Sequence, residues 1–458
     1  MSPGGKSLRH RVLDSAKWTL LGHGAGQVLK FGSNLILTRL LAPDMFGVMA
    51  LGYMVFTGLT MLSDLGIGDI VTRSRRGDEP KFLNVLWVMQ IARGVLIAMC
   101  ALALGALWTM PWLRSLIPTS SVYGDPRIPG LVAALALVPL ISGFESTKSF
   151  LARRHLSMAN LTKVDLACQF GTTAFTLSWA LVDASVWALA FGWVFGGLMK
   201  TVLSHAALPG PRNRFEWDIE AFWEAFNFGK WALISSPLTF LLLSGDRILL
   251  SGFLNATTMG FYSIAFLLVT ALQSAIGRVV FFSVLPALSE VHRDRPAELK
   301  TTIYRFRRPL DVACIVPAGM LFVLGDMVVR LLYDSRYLPA GWMLSTVALT
   351  LAVVQFNVFD QALMAVGRIR TLTALNVMRT AVLFGVVWLG HQFFGDKGAV
   401  IGVPCAALVN ALVLLGVTRE LGFVDMRREL HCFPLFGAGA GLGWLVKVLA
   451  TWFLGITG

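Results

Sequence analysis

His23, Gln27, Lys30 and Asn34 are spaced four, three and four residues apart, inside the first long apolar stretch of the chain. That spacing puts all four on one side of an α-helix. One cation flanked by hydrogen-bonding groups favours the holding of an anion. Further cations stand inside apolar stretches at Arg93, Arg278 and Arg379, and the pair Asp246–Arg247 lies toward the end of another. Arginine donates two parallel hydrogen bonds and lysine supplies a compact point charge, a combination suited to an oxyanion. Each arginine also has a structural reading. Arg247 could pair with Asp246 or snorkel, Arg278 could meet a carboxylate of another span, and Arg379 could reach an interface. The carboxylates Asp64, Glu145, Asp165, Asp311 and Asp360 are expected to balance buried charge, with Glu145 three residues before Lys148; proton coupling through one of them stays open.

Other chemistries lack their residues. The cysteines Cys100, Cys168, Cys314, Cys405 and Cys432 have no paired spacing, and the seven histidines are scattered, so no metal site is expected. "GAGAGLG" at 437–443 has no preceding strand and no following Lys-Ser/Thr, so it reads as close helix packing and not as a phosphate loop. No cofactor is expected, and the chain is not expected to be an enzyme.

The elements that must position these side chains are membrane helices. Of 458 residues, 56% are hydrophobic and 14% charged, far more apolar than an ordinary soluble protein. Stretches long enough to cross a bilayer recur near 17–41, 46–67, 82–109, 130–151, 158–182, 185–207, 229–252, 258–289, 309–332, 341–365, 372–394, 398–421 and 433–456, about thirteen spans. No alternating, barrel-like pattern appears, so the fold class is an all-α polytopic membrane protein. The net charge of +13 follows the connections: Lys6, Arg9 and Arg11 precede the first span, and even-numbered connections hold clusters such as Arg73, Arg75, Arg76 and Lys81, or Arg305, Arg307 and Arg308. Odd-numbered connections carry little beyond Arg114, Arg127, Arg336 and Lys397. The positive-inside rule then predicts a cytoplasmic N-terminus, and nucleic acid is not an expected partner.

Displaced by 213 residues the sequence meets itself: Lys17-Trp18 falls on Lys230-Trp231, Gly32 on Gly245 and Gly47 on Gly260. Six spans separate the copies, so the repeat is parallel, and two six-helix lobes are expected at 1–209 and 210–428, with an additional C-terminal segment at 429–458. Lobes related in this way enclose a cleft between them, where transporters of such design alternate access. Lys30 cannot face lipid at mid-membrane without a cost of about 2.5–3.5 kcal/mol, so the stripe of His23, Gln27, Lys30 and Asn34 is expected to line that cleft. The same offset puts Arg247 on the face occupied by Asn34, with Asp246 beside it.

"RLLAPDMFGVMALGYMVFTGLTMLSDLGIG" (39–68), "GDRILLSGFLNATTMGFYSIAFLL" (245–268) and "MAVGRIRTL" (364–372) resemble motifs of the polysaccharide transporter family, within the multidrug/oligosaccharidyl-lipid/polysaccharide flippase superfamily. The resemblance implies a V-shaped, two-lobed protein of twelve to fourteen helices in the bacterial inner membrane. It also implies a cargo, a polyprenyl-diphosphate-linked oligosaccharide moved from the cytoplasmic to the periplasmic leaflet for exopolysaccharide, capsule or O-antigen export. Membrane lipid is then a partner, and the polysaccharide polymerase and export machinery are possible ones. A cation-coupled multidrug antiporter is the nearest rival, disfavoured because residues 15–43 contain no carboxylate; a polytopic glycosyltransferase or polymerase is a second, disfavoured because the longest outward loop, about 112–129, offers one carboxylate, Asp125, and the first outward loop only Asp44.

Overall fold

A computed structural model describes the backbone of residues 8–454. Lys6 lies outside the described residues, as do the side chains of Arg9 and Arg11. The first half contains α1 (Leu8–Leu40), α2 (Pro43–Leu62), α3 (Ile67–Arg73), α4 (Pro80–Thr109), α5 (Pro111–Leu116), α6 (Ile128–Leu135), α7 (Leu137–Gly143), α8 (Lys148–Arg154), α9 (Met158–Val182) and α10 (Val186–Ala206). After α11 (Ile219–Phe253) come α12 (Ala256–Asp294), α13 (Leu299–Leu332), α14 (Ala340–Ala348), α15 (Asn357–Ala365), α16 (Ile369–Glu420), α17 (Met426–Glu429) and α18 (Cys432–Leu454). Two compact units result: residues up to Thr119 with Tyr123–Phe240, and Ser120–Val122 with residues from Leu241 onward. They part within α11, whereas the sequence boundary at 209/210 falls in the connection before it.

Among the described residues the thirteen apolar stretches are mainly helical, with breaks at 63–66 inside the second and 144–147 inside the fourth. Among the described residues eight helices are long and apolar enough to cross a membrane, or ten if each of two bent pairs is one span. α1 and α9 are as long as several of these helices but are not among them. α16 comprises two helical parts, because Gly395 turns it back on itself at φ 60° and ψ −148°. A side chain at Gly390 would meet the Gly398 carbonyl at 2.3 Å, and one at Gly402 the Val387 Cα at 2.9 Å, so the two parts of α16 run against each other. Glycine is needed at the turn for its left-handed φ.

In the first unit α4 packs against α6 and α7. A Cβ on Gly94 would lie 2.4 Å from the Pro139 carbonyl, and one on Gly143 would lie 3.3 Å from that of Gln90. Past Gly143 the chain bends by 63° into α8, which leaves helix-end carbonyls without intrahelical partners. Gln90 Nε2 donates to three carbonyls at this bend, those of Ser142 (3.0 Å), Gly143 (3.1 Å) and Glu145 (3.1 Å). The connection after α5 is fixed by Arg127, which donates to Asp125 Oδ2 and Asp44 Oδ2, both at 2.7 Å.

In the second unit α13 and α18 meet closely. Side chains at Gly439 and Gly443 would strike the Val316 and Met320 carbonyls at 2.3 and 3.0 Å, which gives the glycine run its packing role. Arg307 departs from its expected place in an exposed cytoplasmic connection, because α13 begins early enough to carry it into the core. It is 1% exposed, donates to Glu429 at 2.7 Å and Asp311 at 3.2 Å, and its guanidinium stands 4.8 and 5.0 Å from the Phe356 and Phe359 ring centres. Tyr304 Oη also donates to Glu429, at 2.6 Å.

Two outcomes follow for the purified, solubilised protein. Arg307→Met leaves Glu429 buried and uncompensated, and should cost about 3–5 kcal/mol; thermal unfolding unchanged from wild type would overturn that account. For Asp125, burial opposes ionisation, but the hydrogen bonds and charge of Arg127 outweigh it and hold the carboxyl below its ordinary range. Its contribution to stability is therefore complete above the unfolded carboxyl value of about 3.9 and is lost as pH falls through the lower folded value. Asp125→Asn should remove that part of the acid dependence in melts recorded from pH 6 down to pH 3.

Candidate functional site

The polar stripe lies on α1 beside the face that packs on α9. Gly22 and Gly26 make close packing possible: a Cβ on Gly22 would meet Thr162 Cγ2 at 2.3 Å, and the Gly26 carbonyl accepts from Gln169 Nε2 at 3.0 Å. One position round the helix, His23 and Gln27 are half-buried. Lys30 is exposed, with no carboxylate in ion-pair range among the described residues, and Asn34 is half-buried.

Arg93 lines a different feature, a cavity of about 380 Å³ within the first unit. Its wall is assembled from the end of α2, the connection into α3, the middle of α4, the end of α7, and α8. Proline at the start of α2 and of α4 sets where these helices begin, and the Gly94–Gly143 approach brings α4 and α7 together. Arg93 Nη2 donates to the Thr60 carbonyl at 2.6 Å and Nε to Ser63 Oγ at 3.2 Å, while Nη1 stands 3.4 Å from Asp64 Oδ1. Asp64 also accepts from the Gly66 amide at 3.0 Å, which fixes the left-handed Gly66 (φ 62°) at the start of α3. Arg93 is thus committed to α2 and its end, and 18% of its side chain remains exposed.

The remaining cations belong to the second unit. Arg247 stands 3.8 Å from Asp246, donates to the Leu243 carbonyl at 2.7 Å and lies 4.7 Å from the Phe266 ring centre. Asp246 is buried and accepts from Tyr262 Oη at 2.6 Å. Arg379 grips Asp360 with two hydrogen bonds of 2.9 Å. Arg278 is exposed and has no carboxylate partner among the described residues. Glu145 accepts from Ser149 Oγ at 2.8 Å and stands 3.8 Å from Lys200. Its neighbour in sequence, Lys148, instead donates to the His205 carbonyl at 2.7 Å.

Sequence reasoning singled out Arg93, Asp64 and Glu145 but left out Asp69 and Arg153, which line the same cavity. No spacing in the sequence links Arg153 to Arg93. Among the described residues no group of three His, Cys, Asp or Glu could hold a metal ion.

The different engagement of the two leading cations has a measurable consequence. Arg93→Met removes a half-buried guanidinium, its hydrogen bond to the Thr60 carbonyl and the cation facing Asp64, at a cost of about 1–3 kcal/mol. Lys30→Met touches no partner and should stay within about 0.5 kcal/mol. Thermal midpoints of the two solubilised variants separate these expectations, and equal losses would contradict the geometry.

Comparison with known proteins agrees with this architecture. Residues 36–341 match the family described as "Polysaccharide biosynthesis protein". The lipopolysaccharide biosynthesis protein WzxC of Escherichia coli K12 is 19% identical, with 89% of this chain and 80% of that protein covered. The succinoglycan biosynthesis transport protein ExoT of Rhizobium meliloti is 22% identical over 88% of this chain and 79% of its own. Among solved structures, the lipid II flippase MurJ in an inward closed conformation superposes with a TM-score of 0.68 at 12% identity, covering 97% of this chain and 94% of that one. An inward-facing multidrug resistance MATE transporter of the MOP superfamily gives 0.61 at 15%, covering 89% and 95%. At such identities these two likenesses establish the fold alone. The sequence match extends over more than half the length, and the chain is a multi-pass membrane protein belonging to the polysaccharide biosynthesis protein family.

Proposed function

We propose that this protein is a flippase for a polyprenyl-diphosphate-linked oligosaccharide repeat unit, which it carries from the cytoplasmic to the periplasmic leaflet of the bacterial inner membrane. Its N-terminus lies in the cytoplasm, and the delivered unit passes to a polysaccharide polymerase and export machinery. The family match carries the reading, since relatives along nearly the whole chain are named for lipopolysaccharide biosynthesis and succinoglycan transport. The chemistry of α1 supports it: Lys30 is a cation without a carboxylate, flanked by His23, Gln27 and Asn34, and it is available to a diphosphate. Arg278 is the second exposed cation of this set. Arg93, Arg247 and Arg379 would reach the cargo only by sharing or leaving the contacts described above, as the protein moves between inward-open and outward-open states.

Transport of this kind requires no nucleotide. With the cytoplasm negative, each negative charge moved outward releases about 2.3 kcal/mol per 100 mV, so a diphosphate of about two charges gains several kcal/mol. Partial neutralisation by Lys30, with hydrogen bonds from its neighbours, lowers the penalty of passing the membrane interior.

Gene deletion should leave lipid-linked repeat units accumulated facing the cytoplasm, without a primary change in drug sensitivity. Lys30→Glu alone, at a position without structural contacts, should reduce export about tenfold or more, the equivalent of losing one charge-assisted contact. The Lys30→Glu/Arg93→Glu double variant should abolish export. Normal polysaccharide export from a correctly inserted double variant would rule out the role given to these cations.

A further inference from the structure

The cavity of the first unit is poorly suited to the diphosphate. Its wall carries the guanidinium groups of Arg93 and Arg153 against the carboxylates of Asp64, Asp69 and Glu145. Two positive charges against three negative ones leave a formal balance of −1, and counting Lys200, 3.8 Å from Glu145 but not part of the lining, brings it only to neutrality. A dianion entering here would compete with Asp64 for Arg93 and approach Asp69 and Glu145 without compensation. A cation would meet the converse problem at Arg93 and Arg153.

What the wall offers is a mixture. The side chains of Asp69 and Arg153 are exposed and have no hydrogen-bond or ion-pair partner among the described residues, so one free acceptor and one free donor group border the same space. Phe56 and Phe150 contribute half-buried aromatic surface to it, and Phe56 is held edge-on by Trp193 at 5.7 Å. Carboxylate, guanidinium and aromatic faces round a cavity of about 380 Å³, within the ~300–1,000 Å³ range of small-molecule sites, complement an uncharged ring that carries hydroxyls on its rim and C–H groups on its faces. Hydroxyls both donate to carboxylates and accept from guanidinium. A polyol therefore satisfies both signs of charge without displacing the Arg93–Asp64 pair.

We propose that this cavity is a carbohydrate subsite taking one neutral pyranose ring, with Asp69 and Arg153 as the specificity-determining contacts and Phe150 as an apolar platform. The proposal rests on the flippase reading for the nature of the cargo, and it separates recognition of the sugar from recognition of the diphosphate by Lys30.

The test is saturation-transfer difference NMR on the full chain in nanodiscs. The probes are the carrier-free methyl glycosides of glucose, galactose, mannose and N-acetylglucosamine. At least one should receive saturation, and inorganic pyrophosphate or tetraphenylphosphonium added at equal concentration should not displace it. Asp69→Asn and Arg153→Gln alter exposed side chains and should keep the thermal midpoint of wild type while weakening binding about tenfold each, the effect of one charged hydrogen bond. Saturation of none of the four glycosides would overturn the proposal. So would displacement by pyrophosphate or by tetraphenylphosphonium, or undiminished binding in both variants. The assay involves no transport and no lipid carrier. Failure here leaves the flippase reading standing, and normal export by the Lys30 variants would leave a positive result here intact.

Discussion

Burying a charge among apolar helices costs several kcal/mol per ion unless an opposite charge and a full set of hydrogen bonds accompany it. The second unit meets that requirement twice. Arg307 is enclosed by Glu429, Asp311 and two aromatic faces, and Arg379 is held by two hydrogen bonds to Asp360. In the first unit Arg93 is met by Asp64, Ser63 and a backbone carbonyl. Pairing takes these side chains out of circulation, which is why a count of intramembrane arginines says little about how many can receive a ligand. Lys30 and Arg278, exposed and without carboxylate partners among the described residues, are the cations of the proposed set left uncommitted.

Close helix contact depends on a related economy of volume. Gly94 and Gly143 let α4 and α7 meet, and the bend beyond Gly143 is tolerable because Gln90 takes up the freed carbonyls. The cavity below Arg93 exists because of that junction: a continuous helix from α6 through α8 would carry Phe150 and Arg153 elsewhere. Gly319, Gly439 and Gly443 bring α18 against α13 in the same way, so the C-terminal helix is an integral part of the second unit. Backbone polarity and side-chain volume thus decide where space remains for a ligand.

Fold and transport class reach the observer by different routes. Apolar stretches, the charge bias of the connections and the 213-residue repeat indicate a helical membrane protein, because each reports a property that acts along the chain. The short motifs at 39–68 and 245–268 point to the same family as the match over 36–341.

By itself the sequence determined the helices, their approximate limits, the stripe on α1 and the packing role of "GAGAGLG", because periodicity, length and side-chain size operate locally. It also determined that carboxylates would answer buried arginines. Only the tertiary structure decided the partners. Arg379 found Asp360, Glu145 found Ser149 and Lys200 in place of Lys148, Arg307 passed from an exposed connection into the core, and Asp69 joined Arg153 around one cavity. Ion pairing acts through space over a few ångströms, and nothing in the spacing of two residues tens of positions apart records which helices will stand side by side.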